Sequence, residues 1–127
     1  MPILHLISIK CYEQEDTLGD DLAYLFVNGQ KVWRQYMDTN QSRPINTRQV
    51  FRRRAILKLY DQDGGYNAGG GDDDFLGRHE VIAAEAGQGV RTATFAEDDA
   101  HYKVWYEVLA VPRGGSQADL ERAMAGE

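Results

Sequence analysis

A chain of 127 residues with 43% hydrophobic content is sized for a single core, and its 20 Asp and Glu against 14 Lys and Arg leave a formal net charge of −6. That balance argues against nucleic acid as a partner, because phosphate binding needs a larger net positive face. One cysteine excludes an internal disulfide and a zinc cluster. No apolar run approaches the ~20 residues of a membrane span and no signal-peptide pattern follows Met1, so no transmembrane segment and a cytoplasmic location are expected.

Taken in order, the elements read as strands. From Ile3 to Tyr12, Ile7, Ile9 and Cys11 alternate with Ser8 and Lys10, the period of two of a half-buried strand. Cys11 in that strand reads as a packed thiol rather than a nucleophile. Leu22 to Val27 is a second strand, and Asn28-Gly29 is a hairpin signal because both central residues of a type I′ turn need positive φ. Lys31 to Met37 then pairs back, and the polar segment from Asp38 to Pro44 reads as a loop. Thr47 to Phe51 and Ala55 to Tyr60 follow, with Ala55, Leu57 and Leu59 facing inward. Phe75 to Ala83, Val90 to Phe95 and His101 to Val111 complete the set, the last carrying Tyr102, Val104, Tyr106 and Val108 on one face. The predicted fold is all-β, an eight-stranded antiparallel two-sheet sandwich over residues 1–112. Residues 113–127 are expected to form a polar tail, in which Ser116-Gln117-Ala118-Asp119 resembles a capping box opening a short helix to Met124.

The chemistry concentrates between strands. Asp61, Asp63, Asp72, Asp73 and Asp74 flank the glycine-rich stretch from Gly64 to Gly71 with no Lys or Arg among them. Glu13, Glu15, Asp16, Asp20 and Asp21 form a second basic-free stretch. The two segments hold ten of the 20 acids, and setting them aside turns a net charge of −6 into +4 for the remainder. Like charges gathered in this way repel unless a cation sits among them, and hard carboxylate oxygens suit calcium, which takes ~6–8 of them in a forgiving geometry. A solvated hairpin loop is the alternative. An EF-hand does not fit, since counting from Asp61 puts Tyr66 where the sharp-turn Gly belongs and Asp72 where a Glu is standard. The glycines lack the Lys-Ser/Thr of a phosphate-cradling loop.

These residues carry a resemblance. Asp61-x-Asp63, an insertion, and Asp73-Asp74-x-Leu76-Gly77 resemble the third calcium-binding loop of C2 domains, and Asp16-x-x-Gly19-x-Asp21 ahead of Tyr24 resembles their first. The likeness runs from about Ile3 to Val108. It implies a C2-like sandwich in which Asp16, Asp21, Asp61, Asp63, Asp73 and Asp74 ligate calcium, with anionic phospholipid or a protein as the partner. Asp21-Leu22-Ala23-Tyr24 is one residue longer than the family's Asp-Pro-Tyr and lacks its proline, so the choice between Asp20 and Asp21 stays open. The glycine insertion leaves the choice among Asp72, Asp73 and Asp74 open as well. Leu18 and Tyr66 are the sizeable apolar side chains of the two acidic loops, which favours metal binding over membrane insertion.

Outside the loops, His5, His79 and His101 show no ligand spacing, and no nucleophile has a base partner, so no enzyme activity is expected. Trp33 and Trp105 read as core or half-buried anchors. Arg52-Arg53-Arg54 reads as a solvated strand edge or an anionic partner's site. The expected function is a calcium-binding interaction module; the alternative is a metal-independent β-sandwich adaptor.

Overall fold

The computed structural model describes residues 1–14, 21–62 and 73–111, together with 121, 122, 124 and 125. Among the described residues eight strands are present: β1 (Ile3–Glu13), β2 (Asp21–Val27), β3 (Gln30–Met37), β4 (Ser42–Val50), β5 (Arg54–Asp61), β6 (Asp74–Ile82), β7 (Arg91–Phe95) and β8 (His101–Leu109). They form two antiparallel four-stranded sheets, ordered β4-β1-β8-β7 and β3-β2-β5-β6. The sandwich expected from the alternating pattern is therefore the fold. Its predicted C-terminal helix falls mostly outside the described residues.

The core lies between the sheets and is built from alternate positions. Ala55, Leu57 and Leu59 of β5 face Tyr102, Val104, Tyr106 and Val108 of β8, and all are buried. The β2–β3 hairpin turns at Asn28 and Gly29 with φ of 49° and 83°, the left-handed geometry that this pair accommodates. On the outer face of the β2-containing sheet, Tyr24, Phe26, Tyr60 and Phe75 form a row of ring contacts across three strands at centroid separations of 6.4, 5.5 and 5.4 Å, the first two edge-on and the third tilted. Such cross-strand aromatic pairs add to ladder stability by ~0.2–1 kcal/mol each.

The structure corrects four details of the strand reading. A register shift between Leu6 and Ser8 accommodates an extra residue in β1, so Leu4, Leu6, Ile9 and Cys11 point into the core along with the buried Ile3, while Ile7 is half-exposed. A bulge switches the face of every residue beyond it, which simple alternation does not anticipate. The segment from Asp38 to Pro44 is not all loop, because β4 begins at Ser42 and includes Pro44. Pro44 sits in an edge strand, the place in a sheet where a residue without an N–H is tolerated. The last strand ends at Leu109 rather than Val111, and the strand expected to reach Ala83 gives way there to a 3-10 turn, Ala83–Glu85.

Gly77 shows how tightly the layers meet. Its φ is +148°, and a Cβ added there would lie 2.9 Å from the Phe95 Cα and 3.0 Å from its Cβ. Absence of a side chain lets β6 approach β7 of the other sheet, and Phe95 fills the seam as a fully buried ring.

Candidate functional site

Strand direction decides which connections share a pole. Ala23 of β2 pairs with Asp61 of β5, and Asp61 in turn pairs with Asp74 of β6. The start of β2, the end of β5 and the start of β6 therefore lie side by side, and the two acidic segments leave the sandwich at the same end. Glu13 pairs with His101, so the end of β1 and the start of β8 are there too. Asp98 and Asp99, whose placement the sequence left open, occupy the β7–β8 connection at this pole with φ of 55° and 63°.

The described ligand candidates sit on ordered strand ends. Asp21 is wholly buried, and its Oδ2 accepts a 2.6 Å hydrogen bond from the Tyr102 hydroxyl of β8 in the opposite sheet. Asp61 is 1% exposed, and its Oδ1 accepts the Leu22 backbone N–H at 2.8 Å. The Gln62 N–H returns to the Leu22 carbonyl at 2.9 Å, so main chain and side chain together stitch the start of β2 to the end of β5. Asp73 and Asp74 are half-buried, and among the described residues Asp73 Oδ1 is buried with no hydrogen-bond partner. Asp16 and Asp63, like Asp20 and Asp72, lie outside the described residues. No group of three His, Cys, Asp or Glu among the described residues is close enough to hold a metal ion.

Burial controls the protonation of the groups behind the carboxylates. The Cys11 thiol is pushed up to about 11, chiefly by burial, against a smaller lowering from its hydrogen bond with Tyr102. It remains a neutral packed thiol, as its strand position suggested. Burial, followed by the hydrogen bond to Asp21, drives the Tyr102 hydroxyl far above the usual phenol range. Tyr102 is thus a permanent donor to Asp21. The sequence marked it only as an inward-facing strand residue, because its partner is distant along the chain.

A further connection joins the pole. The β3–β4 turn is tied to the end of β1 through Gln14, whose backbone N–H donates to Thr39 Oγ1 at 3.3 Å and whose Oε1 accepts the Thr39 N–H at 3.1 Å. Asn40 N–H donates to the Cys11 carbonyl at 2.7 Å. Asp38 of this turn adds a carboxylate at the acidic end that the strand reading passed over.

Arg52 and Arg53 lie elsewhere. They are exposed in the β4–β5 connection, at the pole opposite the aspartates, and Arg54 opens β5 with its guanidinium 3.5 Å from Glu80. His5 contacts Glu107 and Asn46, while His79 contacts Tyr106, so neither belongs to the acidic pole. Both tryptophans are half-buried.

No protein-family model and no curated protein matches the chain. Solved structures do. A structure of two C2 domains of Extended-Synaptotagmin 2 matches with a TM-score of 0.53 at 18% identity, over 85% of this chain and 39% of that one. Human GIVD cytosolic phospholipase A2 matches with a TM-score of 0.55 at 14% identity, over 85% of this chain and 16% of the enzyme. The chain spans well under half of either structure's length. With two four-stranded sheets in this order and these neighbours, the chain has a divergent C2-like fold.

Proposed function

We propose that this chain is a non-enzymatic calcium-binding module whose acidic loops, when loaded, control attachment to a membrane or a protein. The observation that carries the reading is the direct opposition of Asp61 and Asp74 on neighbouring strands, beside the buried Asp21. Like charges facing each other across a ladder are unfavourable, and a buried carboxylate oxygen on Asp73 that finds no partner among the described residues adds to the cost. The donor set consists of hard oxygens, which fits calcium and not a thiolate-seeking metal.

As placed, no three of Asp21, Asp61, Asp73 and Asp74 converge on one ion, so a shell begun by these strand-end carboxylates would have to be completed by Asp16 and Asp63 from the connections. Calcium, when bound, supplies the positive charge that offsets their repulsion. Tyr102 and the Leu22 N–H each engage one oxygen of Asp21 and Asp61, which fixes the carboxylates in place ahead of binding. Neutralising this pole would allow its approach to an anionic phospholipid surface, which the bare carboxylates oppose. No helix among the described residues is long and apolar enough to cross a membrane, which suits peripheral attachment.

The experiment is a thermal melt with calcium, with magnesium, and with chelator added back. The melting temperature should rise with calcium, revert with chelator and respond weakly to magnesium; at a calcium concentration of ~100 Kd the gain is about 2.7 kcal/mol. Asp61→Asn keeps an acceptor for the Leu22 N–H but removes the charge, and should abolish the rise. A parent protein indifferent to calcium would falsify the reading in favour of a metal-independent adaptor. In that second reading the exposed Arg52 and Arg53 meet an anionic partner at the far pole, without help from the aspartates.

A further inference from the structure

The outer face of the β1-containing sheet holds two lysines where neighbouring charges would be expected to alternate. Lys10 of β1 and Lys103 of β8 are directly opposite each other in register. Both are half-buried, and both ammonium groups lie over the ring of Tyr12, at 4.8 and 5.7 Å from its centroid. His101 packs against that ring at 5.1 Å. Among the described residues, neither lysine has a carboxylate within ion-pair distance. A directly opposed like-charge pair is unfavourable, and sharing one aromatic ring relieves part of that cost without cancelling either charge.

The row continues on both sides. Lys10 is also registered against Ser42 of β4, and Lys103 against Thr94 of β7, both exposed. One line of residues across all four strands therefore reads hydroxyl, ammonium, ammonium, hydroxyl. Adjacent strands are ~4.8 Å apart, so an anion centred between β1 and β8 is within reach of both lysines, while its substituent meets Ser42 or Thr94. Two residues along β8, the half-buried Trp105 lies in the next row between Ser8 and Thr92, and offers an apolar surface beside the charged one.

We infer that this row is a binding site for a phosphate monoester. Ammonium groups are compact point charges with rotatable donors, suited to a tetrahedral dianion rather than to the planar fork that a carboxylate shares with arginine. The proposal goes beyond calcium binding and does not depend on it, because the row lies on the face of the other sheet from Asp61 and Asp74.

The test uses the full chain in chelator at low ionic strength, titrated with inorganic phosphate and followed by amide and lysine side-chain NMR. Saturable shifts at Lys10, Lys103 and Tyr12 are expected in the millimolar range. Lys10→Met with Lys103→Met should weaken the response about tenfold or more, whereas Lys58→Met, on the other sheet's outer face, should leave it unchanged. Shifts that fail to saturate, or that the double variant retains, overturn the site. A second arm identifies the source of the phosphate: sedimentation with phosphatidylcholine vesicles containing phosphatidic acid. Binding to these vesicles that the double variant loses places the group on a lipid headgroup. Absence of sedimentation alongside a saturable phosphate response places it on a soluble ester, and sedimentation that the double variant keeps assigns the vesicle contact to another surface and likewise leaves a soluble ester as the lysine pair's ligand.

Discussion

The Tyr102 hydroxyl donates a 2.6 Å hydrogen bond to Asp21 Oδ2, joining β8 of one sheet to the first residue of β2 in the other, with both side chains fully buried. A buried carboxylate deprived of a donor pays the desolvation cost of that bond. Tyr102→Phe, which changes little in volume, should therefore lower stability by about 1–3 kcal/mol, measured by urea denaturation. If Asp21 is a calcium ligand, the same variant should also weaken the calcium-dependent rise in melting temperature. An unchanged calcium response in a folded Phe variant would show that Tyr102 is structural alone.

Asp74 faces Asp61 across the β5–β6 ladder. Asp74→Asn removes one of the two charges, and in chelator it should stabilise the fold by ~0.2–1 kcal/mol, the usual range for such cross-strand pairs. In calcium the order should invert, with the parent protein the more stable. Parallel melts of the two proteins under both conditions check the crossing.

Gly77→Ala places a methyl group against the Phe95 backbone at 2.9 Å, on a residue whose φ of +148° already disfavours side chains. Strain and overpacking act together here, and a loss of about 2–4 kcal/mol, measured by urea denaturation, is expected. Gly29→Ala serves as a comparison: φ is +83° there too, but nothing lies within 4 Å of the added carbon. It should cost less, because only the backbone strain applies.

At the pole opposite the aspartates, the Tyr106 hydroxyl donates to Glu85 Oε1 at 2.6 Å, and His79 Nε2 lies 3.1 Å from the same hydroxyl oxygen. With the Tyr106 proton committed to Glu85, His79 Nε2–H donates to Tyr106, which defines the neutral tautomer. Burial lowers the His79 value from its ordinary 6.5 and outweighs the opposing pull of Glu85. The unfolded chain then binds a proton before the folded one does, so the contribution of neutral His79 is present above 6.5 and is lost as pH falls through the lower folded value. Melting temperatures recorded across this range should fall more steeply with acid for the parent than for His79→Gln. Parallel curves for the two proteins would remove His79 as a source of acid sensitivity.

Some of this protein is legible in the linear chain. The alternation of Ala55, Leu57 and Leu59, and of Tyr102 through Val108, defines strands and their buried faces, because a period of two is a local property of extended backbone. Asn28-Gly29 specifies its turn for an equally local reason. The clustering of acids between strands is likewise visible without coordinates. Strand pairing is different, since it depends on how distant segments pack. Only the folded chain shows that Asp61 opposes Asp74, that the end of β1 and the start of β2 leave from the same pole, and that Tyr102 reaches Asp21 across the core. The bulge beyond Leu6 and the facing of Lys10 by Lys103 also arise there. Each is set by inter-strand register, which no single segment encodes by itself.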